Sequence, residues 1–208
     1  MPVVVVISGF LVRSLKGGSK LRTFIAIDTG KGVASVVDMV VDKLKRMGFK
    51  ASWVPGSNAH LTLSFLGEIE FSKVEILASM LSKRLRGFPS FTFSTKQLGF
   101  FRHNNLPRVI WIGVENTPFL NNLHREVRVA LGSLGLAAED KFHPHITVGR
   151  MKYSPPYWKK LLATIELEEI VVPVNGVHIY ESELLSEGAN YRKIFSCNFE
   201  GGLVKHEF

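Results

Sequence analysis

His60-Leu61-Thr62-Leu63-Ser64-Phe65 and His143-Pro144-His145-Ile146-Thr147-Val148 are the two stretches that decide how this chain is read. Each holds a histidine, one apolar residue and a threonine. Leu61, Leu63 and Phe65 alternate with His60, Thr62 and Ser64, and Ile146 and Val148 alternate with His145, Thr147 and Gly149. A period of two is the mark of a β-strand, and strand residues two apart share a face. Each stretch therefore presents an imidazole and a hydroxyl side by side, with apolar side chains behind them. The two histidines stand about half a medium-sized domain apart, as two similar halves of one fold would place them.

The surrounding sequence supports two halves. Thr23 to Ile27 reads as a strand, and Val33 to Met47 as a helix with Val33, Val36, Val37, Val40, Val41 and Leu44 inward and Gly48 as stop signal. A short strand at Trp53-Val54 and the turn Pro55-Gly56-Ser57-Asn58 lead into the first His strand, which ends at Gly67. Phe71 to Leu85 is a second amphipathic helix with Ser72 as candidate N-cap. Strands at Phe91 to Phe101 and Arg108 to Val114 flank a loop. A helix from Thr117 to Leu134, the second His strand, a short helix from Tyr157 to Thr164, and strands at Ile165–Val174, Val177–Ser182 and Tyr191–Phe199 complete the chain. The expectation is an α+β fold of two lobes with the His strands at the seam. Residues 1–20 read as an extension outside the functional core, either an added edge strand or a disordered tail. Residues 21–208 then form a single domain.

Of the 208 residues, 26 are Lys or Arg and 18 are Asp or Glu, giving a net charge of +8, which favours polyanionic partners. Cys197 is the only cysteine, so an intrachain disulfide and a multi-cysteine zinc site are excluded, and a reducing, intracellular setting fits. The apolar run from Pro2 to Val12 is shorter than the ~20 residues of a membrane helix. There is no phosphate-cradling Gly-x-x-x-x-Gly-Lys-Ser/Thr loop and no dinucleotide fingerprint.

Two histidines across a groove supply a general acid and a general base, because the imidazole pKa of ~6.5 lies close to operating pH. The threonines aim hydroxyl donors at the same space. The set suits phosphoryl transfer at an activated ester, with one imidazole taking a proton from water and the other protonating the leaving oxygen. Positioning and charge stabilisation carry most of that reaction, so no metal or other cofactor is expected. Arg150 adds a permanent charge and a fork for phosphate. A zinc site from His60, His143 and His145 lacks the spacing of a known motif. His143 reads as a surface or supporting histidine, and His103, His124, His178 and His206 as structural or exposed. From these residues alone, either histidine could be the acid.

Taken together, these pieces resemble the two-histidine phosphoesterases, and more narrowly the RNA 2′,3′-cyclic phosphodiesterases, also called 2′-5′ RNA ligases. The resemblance rests on Arg22 to Ile27, His60 to Gly67, Pro107 to Trp111 and His143 to Arg150, with Glu181-Ser182 and Tyr191 fitting the closing strands. It spans residues 21 to 200. It implies a bilobal fold of two pseudo-symmetric lobes, each antiparallel sheet plus helices, around a central groove. It also implies hydrolysis of a terminal RNA 2′,3′-cyclic phosphate to a 2′-phosphate, with reverse 2′-5′ ligation as a companion reaction. His60 matches the proton donor, His145 the proton acceptor, and Thr62, Thr147 and Arg150 the phosphate ligands. The expected partners are RNA ends with cyclic phosphates, tRNA fragments among them. The protein is expected to be a cytoplasmic monomer with no membrane association. Arg102 and Arg108 at the predicted loop, with Phe101 as a stacking platform, are the RNA-binding candidates. Two rival readings are a small cyclic nucleotide or ADP-ribose cyclic phosphate as substrate, and a non-catalytic module for RNA ends.

Overall fold

A computed structural model describes residues 4–7, 10–13, 19–137, 141–185 and 188–207. Its first two strands, β1 (Val4–Ile7) and β2 (Phe10–Arg13), pair with each other in a separate two-stranded sheet. The two described strands of the predicted extension thus pair with each other and not with the edge of the main sheet, and the rest of residues 1–18 lies outside the described residues.

The remaining elements are β3 (Lys20–Asp28), α1 (Gly30–Arg46), β4 (Lys50–Trp53), β5 (His60–Glu70), α2 (Phe71–Arg84), β6 (Phe91–His103), β7 (Leu106–Val114), α3 (Pro118–Ser133), β8 (His145–Tyr153), α4 (Trp158–Ala163), β9 (Val171–Val174), β10 (Gly176–Leu185), β11 (Gly188–Asn198) and β12 (Leu203–Lys205). They form a ten-stranded sheet in the order β12-β11-β10-β3-β5-β8-β7-β6-β9, with β4 on β8. The described strand pairings are all antiparallel. The two lobes are the two ends of this one sheet, and they meet where β5 pairs with β8. That junction is a single residue pair, Leu61 with Ile146. These are the central residues of the two His-x-Thr tripeptides, and both side chains are fully buried.

The helices follow their apolar periodicity. Val33, Val37, Val40, Val41 and Leu44 of α1 are buried, at the i, i+4, i+7 spacing of one helix face. Lys43, Lys45 and Arg46 occupy its last turn, where cations suit the helix dipole, and Gly48 takes the left-handed φ of +86° that ends it. Thr117 caps α3 by accepting from the Leu120 amide at 3.1 Å, followed by Pro118 in the first turn.

Three expectations are corrected. Ser72 does not cap α2: Glu70 stands at that position without a side-chain cap, and the Phe71 amide donates to the Ser19 carbonyl at 3.0 Å. The predicted strand from Ile165 shrinks to Val171–Val174. Ile165 and Leu167 are buried, but the Gln97 side chain satisfies the Leu167 amide and carbonyl at 3.2 and 3.1 Å in place of a neighbouring strand. The predicted loop from Arg102 to Pro107 contracts to the turn Asn104-Asn105, both at positive φ (50° and 61°), which matches the twist of a tight hairpin. Arg102 and Arg108 therefore lie on strands. Among the described residues no helix is long and apolar enough to cross a membrane.

Candidate active site

Continuing the antiparallel register on either side of Leu61 and Ile146 sets His60 across from Thr147 and Thr62 across from His145. The four side chains surround one local two-fold axis. Both imidazoles are partly buried, as are both threonines.

The two histidines are held the same way. Nδ1 of His60 donates to the Asn58 carbonyl at 2.7 Å, and Nδ1 of His145 donates to the His143 carbonyl at 2.7 Å. A carbonyl only accepts, so in each ring Nδ1 carries the hydrogen and Nε2 is left as the exchangeable site. Each acceptor lies two residues before its histidine and belongs to the backbone. His143 thus serves through its carbonyl, while its exposed ring packs edge-on against Trp111 and Phe101, with centroids 5.1 and 5.3 Å apart. Among the described residues no cluster of three or more His, Cys, Asp or Glu side chains could hold a metal ion.

Helix α1 fixes the approach to His60. The Asp38 carboxylate accepts from the Gly56 amide at 2.7 Å, and the Thr29 hydroxyl donates to the Ala59 carbonyl at 3.0 Å. The turn at Gly56–Asn58 is pressed so closely onto α1 that a Cβ at Gly56 would lie 2.8 Å from the Ala34 carbonyl carbon and 2.6 Å from an Asp38 oxygen. Only glycine fits there, and that fit places the Asn58 carbonyl under His60.

The environments of the two rings differ. His60 lies against Phe24 (4.8 Å between centroids) and edge-on to Tyr191 (5.1 Å). Burial holds its pKa below the ordinary histidine value. The Asn58 carbonyl and the Asp28 carboxylate oppose that shift, and the charges of His145 and Arg150 reinforce it. Asp28 pairs with His60 in the β3–β5 register. Its carboxylate accepts from Tyr180 and, at 2.6 Å, from Lys193, with His178 Nε2 3.4 Å away. Burial alone would raise the Asp28 pKa, but the bonds from Lys193 and Tyr180 outweigh it and hold it low. His145 lies instead in an aromatic corner, with Phe101 edge-on at 5.0 Å and Trp111 at 6.1 Å. The Trp111 ring stands on Gly99, where any Cβ would overlap it.

One cavity opens onto His60, and a second is lined by Phe24 and Tyr191, the rings that pack against His60. The first, about 400 Å³, is lined by His60, Asp28, Lys31, Tyr180, Tyr191 and Lys193 among others. The second, about 180 Å³, holds Arg22, Thr23, Phe65, Arg150 and Tyr191. Arg150 is exposed and its charge reaches both His60 and Tyr191. Of the RNA-binding candidates, Phe101 lies beside His145. Arg102 and Arg108 are exposed and line neither cavity; Arg108 borders a separate depression with His103, Met151 and Tyr153.

Sequence reasoning did not single out Asn58, Asp28, Tyr180 or Lys193. Nothing in their residue types points to the site, and only the strand register brings them to His60. His178, read as structural, belongs to a chain of hydrogen bonds through Ser196 (2.8 Å) to His206 (2.7 Å). Ser64 is buried with no hydrogen-bond partner for its hydroxyl.

The family model of the 2′-5′ RNA ligase superfamily matches residues 34–184. An RNA 2′,3′-cyclic phosphodiesterase of Thermotoga maritima is 45% identical over 89% of this chain and all of its own length. One from Methanothermobacter thermautotrophicus is 32% identical over 83% of this chain and 95% of its own. Among solved structures, apo LigT of Escherichia coli aligns with a TM-score of 0.66 at 25% identity, covering 85% of this chain and 96% of LigT. A protein of Thermus thermophilus shares the fold with a TM-score of 0.71 at 24% identity, covering 87% of this chain and 99% of its own.

Proposed function

This chain belongs to the 2′-5′ RNA ligase superfamily, and on that premise we propose that it hydrolyses terminal RNA 2′,3′-cyclic phosphates to 2′-phosphomonoesters by general acid–base catalysis. The observation that carries the reading is the pairing of the two His-x-Thr strands at Leu61 and Ile146, with each imidazole fixed through Nδ1 to a carbonyl. This leaves two Nε2 atoms and two threonine hydroxyls around one position.

In the proposed reaction His145 Nε2 takes a proton from water as its oxygen attacks phosphorus. The P–O3′ bond breaks and His60 Nε2 gives its proton to the 3′ oxygen. The 2′ oxygen keeps the phosphoryl group. Thr62, Thr147 and Arg150 hold the non-bridging oxygens as charge grows on them. Both rings keep their Nδ1–H···O=C bonds throughout, so each imidazolium is stabilised where it forms. His60 requires a proton that its burial disfavours. An anionic phosphate offsets the Arg150 charge and favours that proton, so the acid is armed by its substrate. The same step with a 5′-hydroxyl in place of water forms a 2′-5′ phosphodiester, again with the P–O3′ bond broken and the 3′ oxygen protonated, and is ligation. One chain suffices, because both strands come from one sheet. Cytoplasmic RNA ends, tRNA fragments included, are the proposed substrates, and residues 21–208 the proposed functional unit.

A second reading, a small cyclic nucleotide as substrate, is favoured by the cavity beside His60, since about 400 Å³ suits a single nucleoside. The related LigT has been crystallised with 3′-AMP, at 25% identity and a TM-score of 0.65. Incubation with an oligoribonucleotide ending in a 2′,3′-cyclic phosphate, alongside the mononucleotide and with EDTA present, tests both. The expected result is a 2′-phosphate end with higher kcat/KM on the oligonucleotide. No turnover of either substrate refutes the reaction, and loss with EDTA restored by zinc refutes the assigned roles.

A further inference from the structure

The 180 Å³ cavity beside the site has the makings of an anion site in its own right. Arg22 and Arg150 both line it, and neither forms an ion pair among the described residues. The carboxylates nearest in register are otherwise disposed. Glu68 pairs with Arg22 across β3 and β5 yet makes no salt bridge to it, and Glu181, opposite Thr23, is held by Arg192. Two guanidinium groups around one small space repel unless an anion lies between them. A second observation is independent of charge. Thr23 also lines the cavity, is 1% exposed, and its hydroxyl has no hydrogen-bond partner. Such an orphan is costly, and an acceptor seated against Thr23 would relieve it. At the rim, Phe65 is 49% exposed.

The cavity is displaced from the catalytic position. Ala26 pairs with Thr62 and Thr23 with Gly67. Three residues along a strand at ~3.3 Å each put Thr23 about 10 Å from the threonine rung. A reacting phosphate held between Thr62 and Thr147 does not reach Thr23, whereas the next phosphate of a polynucleotide can. Arg150 lines this cavity, and its charge also reaches His60.

We propose that this cavity is a second phosphate subsite with a base platform. Arg22, with the Thr23 hydroxyl and Arg150, holds the phosphodiester on the 5′ side of the nucleotide bearing the cyclic phosphate, and Phe65 stacks the base beyond it. Resting on the reaction given above, this makes Arg22 and Phe65 the residues that favour RNA over a mononucleotide.

The test compares kcat/KM for a nucleoside 2′,3′-cyclic phosphate and for a trinucleotide ending in one. Arg22→Met should lower the trinucleotide-to-mononucleotide ratio by about ten- to a hundredfold, the size of a charge-assisted hydrogen bond. Most of that change should appear in the trinucleotide KM. Phe65→Ala should lower the ratio as well. Thr23→Val should lower it while raising Tm, because the orphaned hydroxyl is removed. Wild-type ratios in Arg22→Met and Phe65→Ala overturn the proposal, as does an equal loss on both substrates. A binding arm needs no turnover: anisotropy of a labelled single-stranded RNA with a 2′-phosphate end, titrated at several salt concentrations. Arg22→Met should reduce the log–log salt slope by about 0.7. If the wild type turns over neither substrate, the proposed reaction falls, and this arm still decides the subsite: a reduced slope supports it and an unchanged slope overturns it.

Discussion

Gly56→Ala tests how the fold sets His60. The added Cβ would start 2.8 Å from the Ala34 carbonyl carbon, closer still to its oxygen, and 2.6 Å from an Asp38 oxygen. Ordinary carbon–carbon contact begins near ~3.5 Å, so the turn must retreat from α1 by at least about 0.7 Å. That retreat stretches the 2.7 Å bond from the Gly56 amide to Asp38 and carries the Asn58 carbonyl away from His60 Nδ1. Overpacking of this kind costs about 1–3 kcal/mol of stability. A catalytic group displaced by most of an ångström loses about 10–100-fold in rate. The expected variant is folded, with a lowered Tm, a KM close to wild type and kcat reduced by that factor on a cyclic-phosphate-ended oligonucleotide. Asp38→Ala removes the acceptor without the overlap and should lose less. If Gly56→Ala keeps wild-type kcat with its Tm lowered as expected, the turn does not position His60 and the carbonyl at Asn58 is incidental.

Three further outcomes follow from the same geometry. His60→Ala and His145→Ala should each lower turnover by about 10²–10⁴-fold, whereas His143→Ala, which keeps its backbone carbonyl, should cost far less; near wild-type rates in either of the first two would refute the acid–base pair. The rate should be bell-shaped in pH, with both limbs of kcat displaced to higher pH than those of kcat/KM, because the bound phosphate raises the histidine pKa values; a flat profile from about pH 5 to 9 with chemistry rate-limiting counts against the mechanism. Burial holds His178 down at about 4. The unfolded chain then binds this proton first, so the stability contribution is whole above ~6.5 and drains away as pH falls toward 4, at up to ~1.4 kcal/mol per unit. Urea melts of wild type and His178→Gln over that window should converge at the acid end, and parallel curves would show that another group is responsible.

Much of this arrangement was legible because it is written in side chains. Val33, Val37, Val40 and Leu44 announce α1 by spacing alone, and the alternation in His60 to Phe65 announces β5. What stayed hidden is carried by backbone or by register. The acceptors for the two imidazoles are carbonyls, and a carbonyl leaves no trace in residue type. Asp28 meets His60 only because β3 and β5 pair as they do, with register shifts between Thr23 and Phe24 and between Ile25 and Ala26. No periodicity in the chain predicts such a bulge. Ile165 to Ile170 misled for a related reason: a glutamine side chain can do for Leu167 what a neighbouring strand would have done.

The junction at Leu61 and Ile146 bears on regiochemistry. A cyclic phosphate offers two nearly equivalent ester oxygens, and a catalytic set related by a two-fold axis treats them alike. Turned end for end, the substrate would find the same imidazole, hydroxyl and carbonyl, and the 3′-phosphate isomer would form as readily as the 2′. The choice between products must therefore reside in what breaks the symmetry. On one side Asp28, Tyr180 and Lys193 border His60; on the other Phe101 and Trp111 border His145. In the proposed reaction the strand pair supplies the acid and the base, and it falls to these unlike walls to select which of two isomers leaves the groove.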